Sequence, residues 1–196
     1  MLKEIQNCKF YILRHGQTDG NLQNLVYGVL DFDINKNGVK QAEMTGKFID
    51  ENIHNLDIKT VVTSNLKRAI NTANIATQNQ NLESFQVPNL REYNFGELEG
   101  KADLSVELWM KWESGQFIGN GVESYQSSMV RVEAGFLEAL EFPSPLIVAH
   151  WGTFYNLERL VESDDRIDYK NAGLYLVEAV NFKWTITEVF APNLEC

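Results

Sequence analysis

Short β-rich runs alternate with helical patterns along most of the chain, and this alternation limits the possible fold more than any other feature. The runs "KFYIL", "TVVTS" and "PLIVAH" are apolar or β-branched, and "FQV" is a weaker run of the same kind. Segments in which apolar residues recur at helical spacing separate them. Strands that alternate with helices form a mainly parallel sheet with helices on both faces. We therefore predict a three-layer α/β/α fold.

The helical segments and the C-terminal strands complete this prediction. The helical patterns are "NGVKQAEMTGKFIDEN", "NLKRAINTANIATQ", "VELWMKWE", "VESYQSSMVRVEAGFLEALE" and a final helix at "WGTFYNLERL". After them, "GLYLVEAV" and "KWTITEVF" are joined by Asn181 and Phe182, which predicts a hairpin. The hairpin adds an antiparallel edge, so we expect a mixed, mainly parallel sheet. Because no linker or internal repeat interrupts the pattern, we expect one domain over residues 1–196.

The charge balance limits the possible ligands. The 196 residues carry a formal net charge of −10 at pH 7 and contain no basic stripe, which argues against nucleic-acid binding. A small anion remains possible, because a cation about 4 Å from a phosphate acts at roughly 4 kcal/mol while scattered surface acids are screened over about 8 Å. A local group of arginines would therefore outweigh the net charge.

The apolar segments and the cysteines indicate a cytoplasmic protein. The longest apolar runs are far shorter than the roughly 20 residues that cross a bilayer, so we expect no membrane association. The segment "MLKEIQNCKF" lacks the apolar region of a secretory signal. Cys8 and Cys196 are sparse and follow no disulfide or metal-binding pattern, which is typical of a reduced compartment.

Two of the three histidines follow predicted strands. Arg14, His15 and Gly16 come directly after the first strand, and His150 follows "PLIVA". Because parallel strands bring their carboxyl ends to one edge of the sheet, we expect the two histidines to meet there. Taken singly, each has an ordinary alternative as a turn residue or a structural histidine. We expect His54, at the end of the first long helix, to be a surface residue favoured by the helix dipole.

An arginine and a carboxylate accompany them. Arg68 lies in the first turn of the helix that follows "TVVTS", where many arginines are merely solvated. Glu92 lies in the loop "LREYNFGELEG", and we expect its neighbours Glu97 and Glu99 to be structural or surface groups. The combination with two histidines at one sheet edge is what indicates a functional site.

This set of side chains suits a phosphoryl group better than a metal ion. Arginine is not a metal ligand and repels cations, so we expect no metal. Guanidinium forks match phosphate oxygens, and Gly16 and the helix N-termini would let backbone N–H groups approach the anion. A neutral imidazole could attack phosphorus while the second histidine, as a cation, donates to the oxygens.

The segments "LRHGQTDGN", "VTSNLKRAINTA", "LREYNFGELEG" and "VAHWG", in this order, resemble the histidine phosphatase superfamily in its phosphoglycerate mutase-like branch. The resemblance runs from about Phe10 to the final hairpin. It implies that His15 is the nucleophile, which forms a phosphohistidine, and that Glu92 is the proton donor. It also implies a phosphate pocket of Arg14, Arg68 and His150.

Three further residues are predicted to bind substrate. The resemblance matches Asn21 to a pocket asparagine and places Gln17 where the family often has glutamate. The family usually has glycine after its second histidine, whereas this chain has Trp151 and only then Gly152. The indole of Trp151 either contacts substrate or packs under the final helix, and the sequence leaves both alternatives open.

The resemblance also implies an insertion over the site. It covers about residues 97–122, and Trp109, Trp112 and Phe117 form an aromatic group in this region. In relatives this segment covers the active site. Lid or core packing without ligand contact is the alternative for these aromatic residues, and we favour it.

These observations predict a metal-independent phosphomonoester hydrolase that needs no cofactor and acts on a small phosphorylated substrate. One alternative is a phosphoglycerate mutase, but the insertion offers only the single cations Lys101 and Lys111 for a second anionic group. The other alternative is a non-catalytic relative that binds phosphorylated ligands. The sequence determines neither the physiological substrate nor the oligomeric state.

Overall fold

A six-stranded mixed sheet forms the centre of the protein in a computed structural model, which describes residues 1–102, 104–164 and 167–193. The strands lie in the order β3-β2-β4-β1-β5-β6 and span Asn7–Arg14 (β1), Thr60–Thr63 (β2), Glu83–Gln86 (β3), Pro145–Ala149 (β4), Leu174–Val180 (β5) and Lys183–Phe190 (β6). Strands β1 to β4 pair in parallel, whereas β5 pairs antiparallel with β1 and with β6. The predicted mixed, mainly parallel sheet is confirmed.

The helices are Asp19–Leu22 (α1), Lys36–Leu56 (α2), Lys67–Ala76 (α3), Val106–Glu113 (α4), Tyr125–Ala139 (α5) and Trp151–Leu160 (α6). Every predicted helix is present, and α2 extends four residues beyond its predicted end at Asn52. The short helix α1 was not predicted, because it consists of one turn that depends on a capping box between Thr18 and Asn21.

Apolar side chains bury both faces of the central strands. Phe10 and Ile12 point to the side covered by α5 and α6, while Tyr11 and Leu13 point to the side covered by α2 and α3. Successive strand residues alternate between faces, so a strand buried on both sides reads as a continuous apolar run. This explains why β1 and β4 were recognisable in the sequence.

The C-terminal hairpin turns where the sequence predicted. Asn181 and Phe182 join β5 to β6, and both have positive φ, as a two-residue primed turn requires. Cys196 lies outside the described residues. No helix among the described residues is long and apolar enough to cross a membrane.

Candidate active site

The sheet brings the two histidines together. Arg14, the last residue of β1, pairs with Ala149, the last residue of β4. His15 and His150 follow directly, and their ring centroids are 5.3 Å apart. His15 is anchored further by its backbone N–H, which donates to the carbonyl of Ala149 at 3.0 Å. Strand register therefore holds the two imidazoles side by side, as the sequence predicted.

The tautomer of His15 is set by the neighbouring backbone. Its Nδ1 lies 2.8 Å from the carbonyl oxygen of Gly16, an acceptor, so Nδ1 carries the proton. No described residue hydrogen-bonds Nε2. Burial, together with the charges of Arg68 and Arg14, holds the pKa of His15 well below its usual range. The imidazole is neutral at physiological pH, with an unprotonated Nε2.

Arg68 is fully buried in the first turn of α3. Its Nη2 donates to the carbonyl of Gly28 at 2.7 Å and its Nη1 donates to that of Leu30 at 3.1 Å. Its guanidinium also stacks over the ring of Tyr27, 4.8 Å from the centroid. These contacts hold a cation rigidly beside the two histidines.

Arg14 supplies the second cation. Its Nη1 donates to the carbonyl oxygen of Tyr169 at 2.6 Å, and its Nε is a buried donor with no partner among the described residues. Burial lowers the pKa values of both Arg14 and Arg68, yet a guanidinium remains charged in proteins. Two fixed positive charges therefore face one cleft, and the carboxylates of its lining are Glu92 and Asp168.

His150 is fully buried and both of its ring nitrogens are engaged. Nδ1 accepts from Nε of Arg68 at 3.2 Å, and Nε2 lies 2.7 Å from the hydroxyl of Ser64. Because Nδ1 accepts a hydrogen bond, the ring is neutral. Burial and the charge of Arg68 also hold the pKa of His150 well below its usual range. His150 is therefore neutral in this structure, in contrast to the cationic second histidine of the sequence prediction.

Glu92 also lines the cleft and is 8% exposed. Its Oε1 accepts the backbone N–H of Tyr93 and its Oε2 accepts that of Gly152, both at 3.0 Å. Burial raises the pKa of this carboxyl, and it outweighs the opposing effects of the two hydrogen bonds and of the nearby arginines. A carboxyl with a raised pKa beside a phosphate pocket can act as a proton donor.

Gly152 makes this position of Glu92 possible, and the sequence analysis missed it. A Cβ on Gly152 would lie 2.2 Å from Oε1 of Glu92 and 2.3 Å from the ring of Tyr93. The Tyr93 hydroxyl also donates to the carbonyl of Gly152 at 2.7 Å. The pattern Trp-Gly after His150 contained the signal, since a glycine in the first turn of a helix often marks a close approach.

Gly16 has a different function from the one predicted. Its N–H donates to the hydroxyl of Thr72 at 2.9 Å, so it is not free to bind an anion, and this prediction is wrong. The glycine is required because an added Cβ would lie 2.6 Å from the carbonyl oxygen of Gly38. It lets the loop after β1 pack against α2.

The two predicted substrate contacts in this loop differ in position. Asn21 lines the cleft, and its Oδ1 accepts from the backbone N–H of Thr18 at 3.1 Å. Gln17 does not line the cleft, because its amide oxygen accepts from Asn35 at 3.2 Å and Asn37 at 3.3 Å, next to the start of α2. The structure thus brings Asn21 to the site and leaves Gln17 outside it.

The other polar residues considered in the sequence analysis lie outside the site. Glu99 accepts the backbone N–H groups of Val29 and Leu30, and Glu97 accepts that of Asn120. These carboxylates hold loops together, as predicted. His54 is exposed in the last turn of α2, which confirms its surface position.

Trp151 packs and also lines the cleft. Its indole stacks on Tyr155 at 5.0 Å and meets the edge of Trp109 at 5.7 Å. Both tryptophans line a cleft of about 700 Å³ that also contains the two arginines, His15 and Glu92. The two alternatives for Trp151 are therefore compatible. Phe117 is 80% exposed and does not line the cleft, whereas Trp112 is buried beneath Trp109.

A sequence model of the histidine phosphatase superfamily (branch 1) matches residues 10–191. This chain belongs to the histidine phosphatase superfamily. An uncharacterized phosphatase of Bacillus subtilis (strain 168) is 29% identical to this superfamily member over 184 residues, which cover 90% of this chain and 91% of that protein.

Other relatives of this chain are mutases. A 2,3-bisphosphoglycerate-dependent phosphoglycerate mutase of Arthrobacter sp. (strain FB24) is 37% identical over 113 residues, which are 53% of this chain and 45% of the mutase. The match thus spans about half the length of such mutases. A solved mycobacterial glucosyl-3-phosphoglycerate phosphatase shares the fold, with a TM-score of 0.75 at 21% identity over 94% of this chain and 99% of that one.

A partly buried ion cluster supports the Glu92 loop of this superfamily member, and sequence reasoning missed it. Glu123 accepts from Nε of Arg131 at 2.7 Å and from Nη1 of Arg91 at 3.3 Å. Arg131 also donates to the backbone carbonyls of Asn89 and Arg91, both at 2.8 Å. No spacing in the sequence links these residues, because they meet only when α5 packs on the loop.

The described residues contain no group of three or more histidine, cysteine, aspartate or glutamate side chains that could hold a metal ion. The cleft lining contains the guanidinium groups of Arg14 and Arg68, which are not metal ligands and repel a cation.

Proposed function

We propose that the protein is a phosphomonoester hydrolase that forms a phosphohistidine on His15. One observation carries this proposal: the unprotonated Nε2 of a neutral His15 shares a cleft with the guanidinium groups of Arg14 and Arg68 and with the carboxyl of Glu92. These groups are a nucleophile, an anion clamp and a proton donor. A phosphate ester needs all three and little else.

In the first step, Nε2 of His15 attacks phosphorus in line with the ester oxygen. A P–N bond forms and the P–O bond to the alcohol breaks. Glu92, whose raised pKa favours the protonated carboxyl, gives its proton to the departing oxygen. The products of this step are the free alcohol, a phosphohistidine and a Glu92 carboxylate.

In the second step, water attacks the phosphohistidine. The Glu92 carboxylate takes a proton from this water as the new P–O bond forms and the P–N bond breaks. Inorganic phosphate leaves, His15 returns to its neutral form and Glu92 is protonated again. The Nδ1–H bond to the Gly16 carbonyl keeps Nε2 facing the cleft throughout.

The phosphate oxygens would be held by Arg14, by Arg68 and by the start of α6. No described residue accepts from the backbone N–H of Trp151, the first residue of α6, and a helix N-terminus attracts anions. We assign His150 an indirect role in phosphate binding. Its Nδ1 accepts a hydrogen bond from Nε of Arg68 at 3.2 Å and so helps to position that guanidinium. Asn21 would contact the substrate at the cleft wall.

A phosphoglycerate mutase is the second candidate, supported by the named mutase relatives. A mutase must retain its intermediate and hold a second anionic group. Lys101 is exposed and does not line the cleft, and Lys111 instead donates to Glu107 at 2.8 Å. Because the described cleft provides only the two arginines as cations, these contacts favour hydrolysis.

We further propose that residues 97–122 form a lid and that residues 1–196 form one domain in the cytoplasm. Helix α4 of this segment places Trp109 over Trp151 beside the cleft, which supports the lid. A small core that contains Tyr93, Phe95 and Trp112 joins the segment to the Glu92 loop. Substrate enclosed there would be shielded from bulk water.

Rapid-quench labelling with a phosphorus-32 ester under alkaline conditions tests the proposal, because phosphohistidine persists there. We expect label on the peptide that contains His15, and we expect His15→Ala to lose both label and turnover. His54→Ala, which changes an exposed histidine, should retain both. Label on another residue, or turnover by His15→Ala, would refute the mechanism.

Activity lost on chelation and restored by a metal would refute metal independence. Ester binding without turnover by the wild type would instead indicate a non-catalytic relative.

A further inference from the structure

The side of the cleft next to Glu92 is aromatic. We call Tyr93, Trp109 and Trp151 the aromatic wall. The ring of Trp109 lies 6.1 Å from that of Tyr93 and 5.7 Å from that of Trp151, between centroids. All three residues line the cleft, and Phe95, Leu104 and Val106 extend the apolar surface.

The aromatic wall is connected directly to the proton donor. Tyr93 follows Glu92 in the chain and its N–H donates to that carboxylate at 3.0 Å. Trp151 precedes Gly152, whose N–H donates to the other carboxylate oxygen at 3.0 Å. If Glu92 protonates the leaving oxygen, the alcohol part of the ester lies on the Glu92 side of phosphorus. The aromatic wall is therefore where the leaving group must sit.

The charges of the described cleft oppose a second anion on that side. Its cations are Arg14 and Arg68, and the proposed mechanism assigns both to the transferring phosphoryl group. Its other charged residues are the carboxylates Glu92 and Asp168. A leaving group with its own phosphate or carboxylate would lose its hydration without finding a counter-charge. A flat uncharged ring would gain stacking and apolar contact.

We infer that the preferred substrates are phosphate monoesters whose alcohol part carries an uncharged aromatic ring, with Trp109 and Trp151 as the residues that select it. This inference rests on the proposed hydrolase function and deepens it. The cleft of about 700 Å³ is large enough for a bicyclic ring beside the phosphate.

Trp109 is held in place independently of any ligand. Its Nε1 donates to the hydroxyl of Tyr155 at 3.4 Å, and Tyr155 in turn donates to Glu113 at the end of α4. Tyr155 also stacks on Trp151. The wall is therefore preformed, so binding an aromatic ring costs little ordering of side chains.

The experiment compares naphthylmethyl phosphate with ethyl phosphate and with 3-phosphoglycerate. The first two esters both release primary alcohols, which limits differences in leaving-group reactivity. We expect kcat/KM for naphthylmethyl phosphate to exceed that for the other two by about thirtyfold or more, the worth of one or two stacked rings. Naphthylmethylphosphonate should likewise inhibit more strongly than methylphosphonate, and this inhibition needs no turnover.

Variants assign the preference to the wall. Trp109→Leu and Trp151→Leu should each reduce the naphthylmethyl-to-ethyl ratio about tenfold. Trp109→Phe, which keeps a ring in the small core, should reduce it less. Phe117→Ala, a variant of an exposed aromatic residue in the same segment, should keep the wild-type ratio. Equal kcat/KM values for all three esters, or a ratio unchanged in both leucine variants, would overturn the inference and leave the hydrolase intact. No turnover of any ester would refute the hydrolase, while the phosphonate comparison would still test the preference.

Discussion

Oε2 of Glu92 accepts the backbone N–H of Gly152 at 3.0 Å, two residues after His150 in the chain. This bond ties the proposed proton donor, which lies on a loop, to the first turn of α6 and hence to the strand that positions His150. The raised pKa of Glu92 shows that burial outweighs even this stabilising contact. The two backbone hydrogen bonds keep the carboxyl at a fixed place in the cleft.

Gly152→Ala should displace this carboxyl. The added methyl would lie 2.2 Å from Oε1 of Glu92, so the side chain must move or the helix must shift. Overpacking of this kind costs about 1–3 kcal/mol in the free energy of unfolding. We expect kcat for alkyl phosphates to fall by up to about a hundredfold, the worth of a positioned acid, and kcat for nitrophenyl phosphate to fall less. Steady-state kinetics and denaturant unfolding measure both effects.

Gly46→Ala is the control for a glycine replaced within a helix. Gly46 lies in α2, where an added Cβ would be 3.1 Å from the carbonyl of Ala76, away from the cleft. Whatever this substitution does to stability, it should leave the ratio of the two leaving groups unchanged. An unchanged ratio in Gly152→Ala as well would show that Glu92 does not depend on this glycine.

The pH dependence should identify Glu92 as the acid. Above its raised pKa the carboxyl loses its proton, so kcat/KM should fall on the alkaline side, while the lowered pKa of His15 moves the acid limb to low pH. Glu92→Gln cannot titrate and should lose this alkaline fall. It should also lose about 10²- to 10⁴-fold in the rate for alkyl phosphates. A pH–rate series with one ester measures both, with Glu43→Gln on the exposed face of α2 as control. An alkaline fall that persists in Glu92→Gln would assign it to another group.

The sequence predicted the parts of the site that depend on strand order. His15 and His150 follow strands buried on both faces, and parallel pairing fixes where such residues meet. The predictions that failed concern hydrogen-bond partners. The N–H of Gly16 donates to Thr72 because α3 packs against the loop. The side chain of Gln17 accepts hydrogen bonds from two asparagines at the start of α2 instead of facing the cleft. Such contacts depend on how loops pack, which no spacing along the chain encodes.

The two buried histidines should make stability depend on pH. Their folded-state pKa values lie below the unfolded value of about 6.5, so the unfolded state binds more protons. The stability that the two neutral histidines contribute is therefore fully present above that value and is lost as the pH falls below it. Each histidine contributes a slope of up to about 1.4 kcal/mol per pH unit. His15→Asn should flatten the slope between about pH 6.5 and pH 5, as measured by urea unfolding. Any contribution of Glu92 to the slope is the same in both proteins.

His54→Asn is the matched control, because this histidine is exposed in the native state and should not contribute to the slope. A wild-type slope in His15→Asn would show that the buried ring of His15 takes up a proton as readily when folded as when unfolded.

Arg68→Lys should weaken binding of orthovanadate, whose trigonal bipyramidal form imitates the in-line transition state. A lysine cannot reproduce the guanidinium fork or its bonds to Gly28 and Leu30. We expect the inhibition constant to rise about tenfold to a hundredfold. Arg159→Lys, a change outside the cleft lining, should leave it unchanged. Equal inhibition of wild type and Arg68→Lys would remove Arg68 from the phosphate pocket.

The Glu123 cluster should position Glu92 from a distance. Glu123 binds Arg131, and Arg131 in turn holds the carbonyls of Asn89 and Arg91 immediately before Glu92. Glu123→Gln would leave the partly buried cation of Arg131 without its counter-charge, which should lower the free energy of unfolding.

If the cluster positions the acid, kcat for alkyl phosphates should fall more in Glu123→Gln than kcat for nitrophenyl phosphate, while KM changes little. A purely structural role would lower both rates equally, through the fraction of folded enzyme. Glu107→Gln is the matched control, because it breaks the exposed pair with Lys111, worth only about 0.3–0.5 kcal/mol. Kinetics at a temperature where both variants are folded separate the two roles. Equal losses for the two esters would restrict Glu123 to stability.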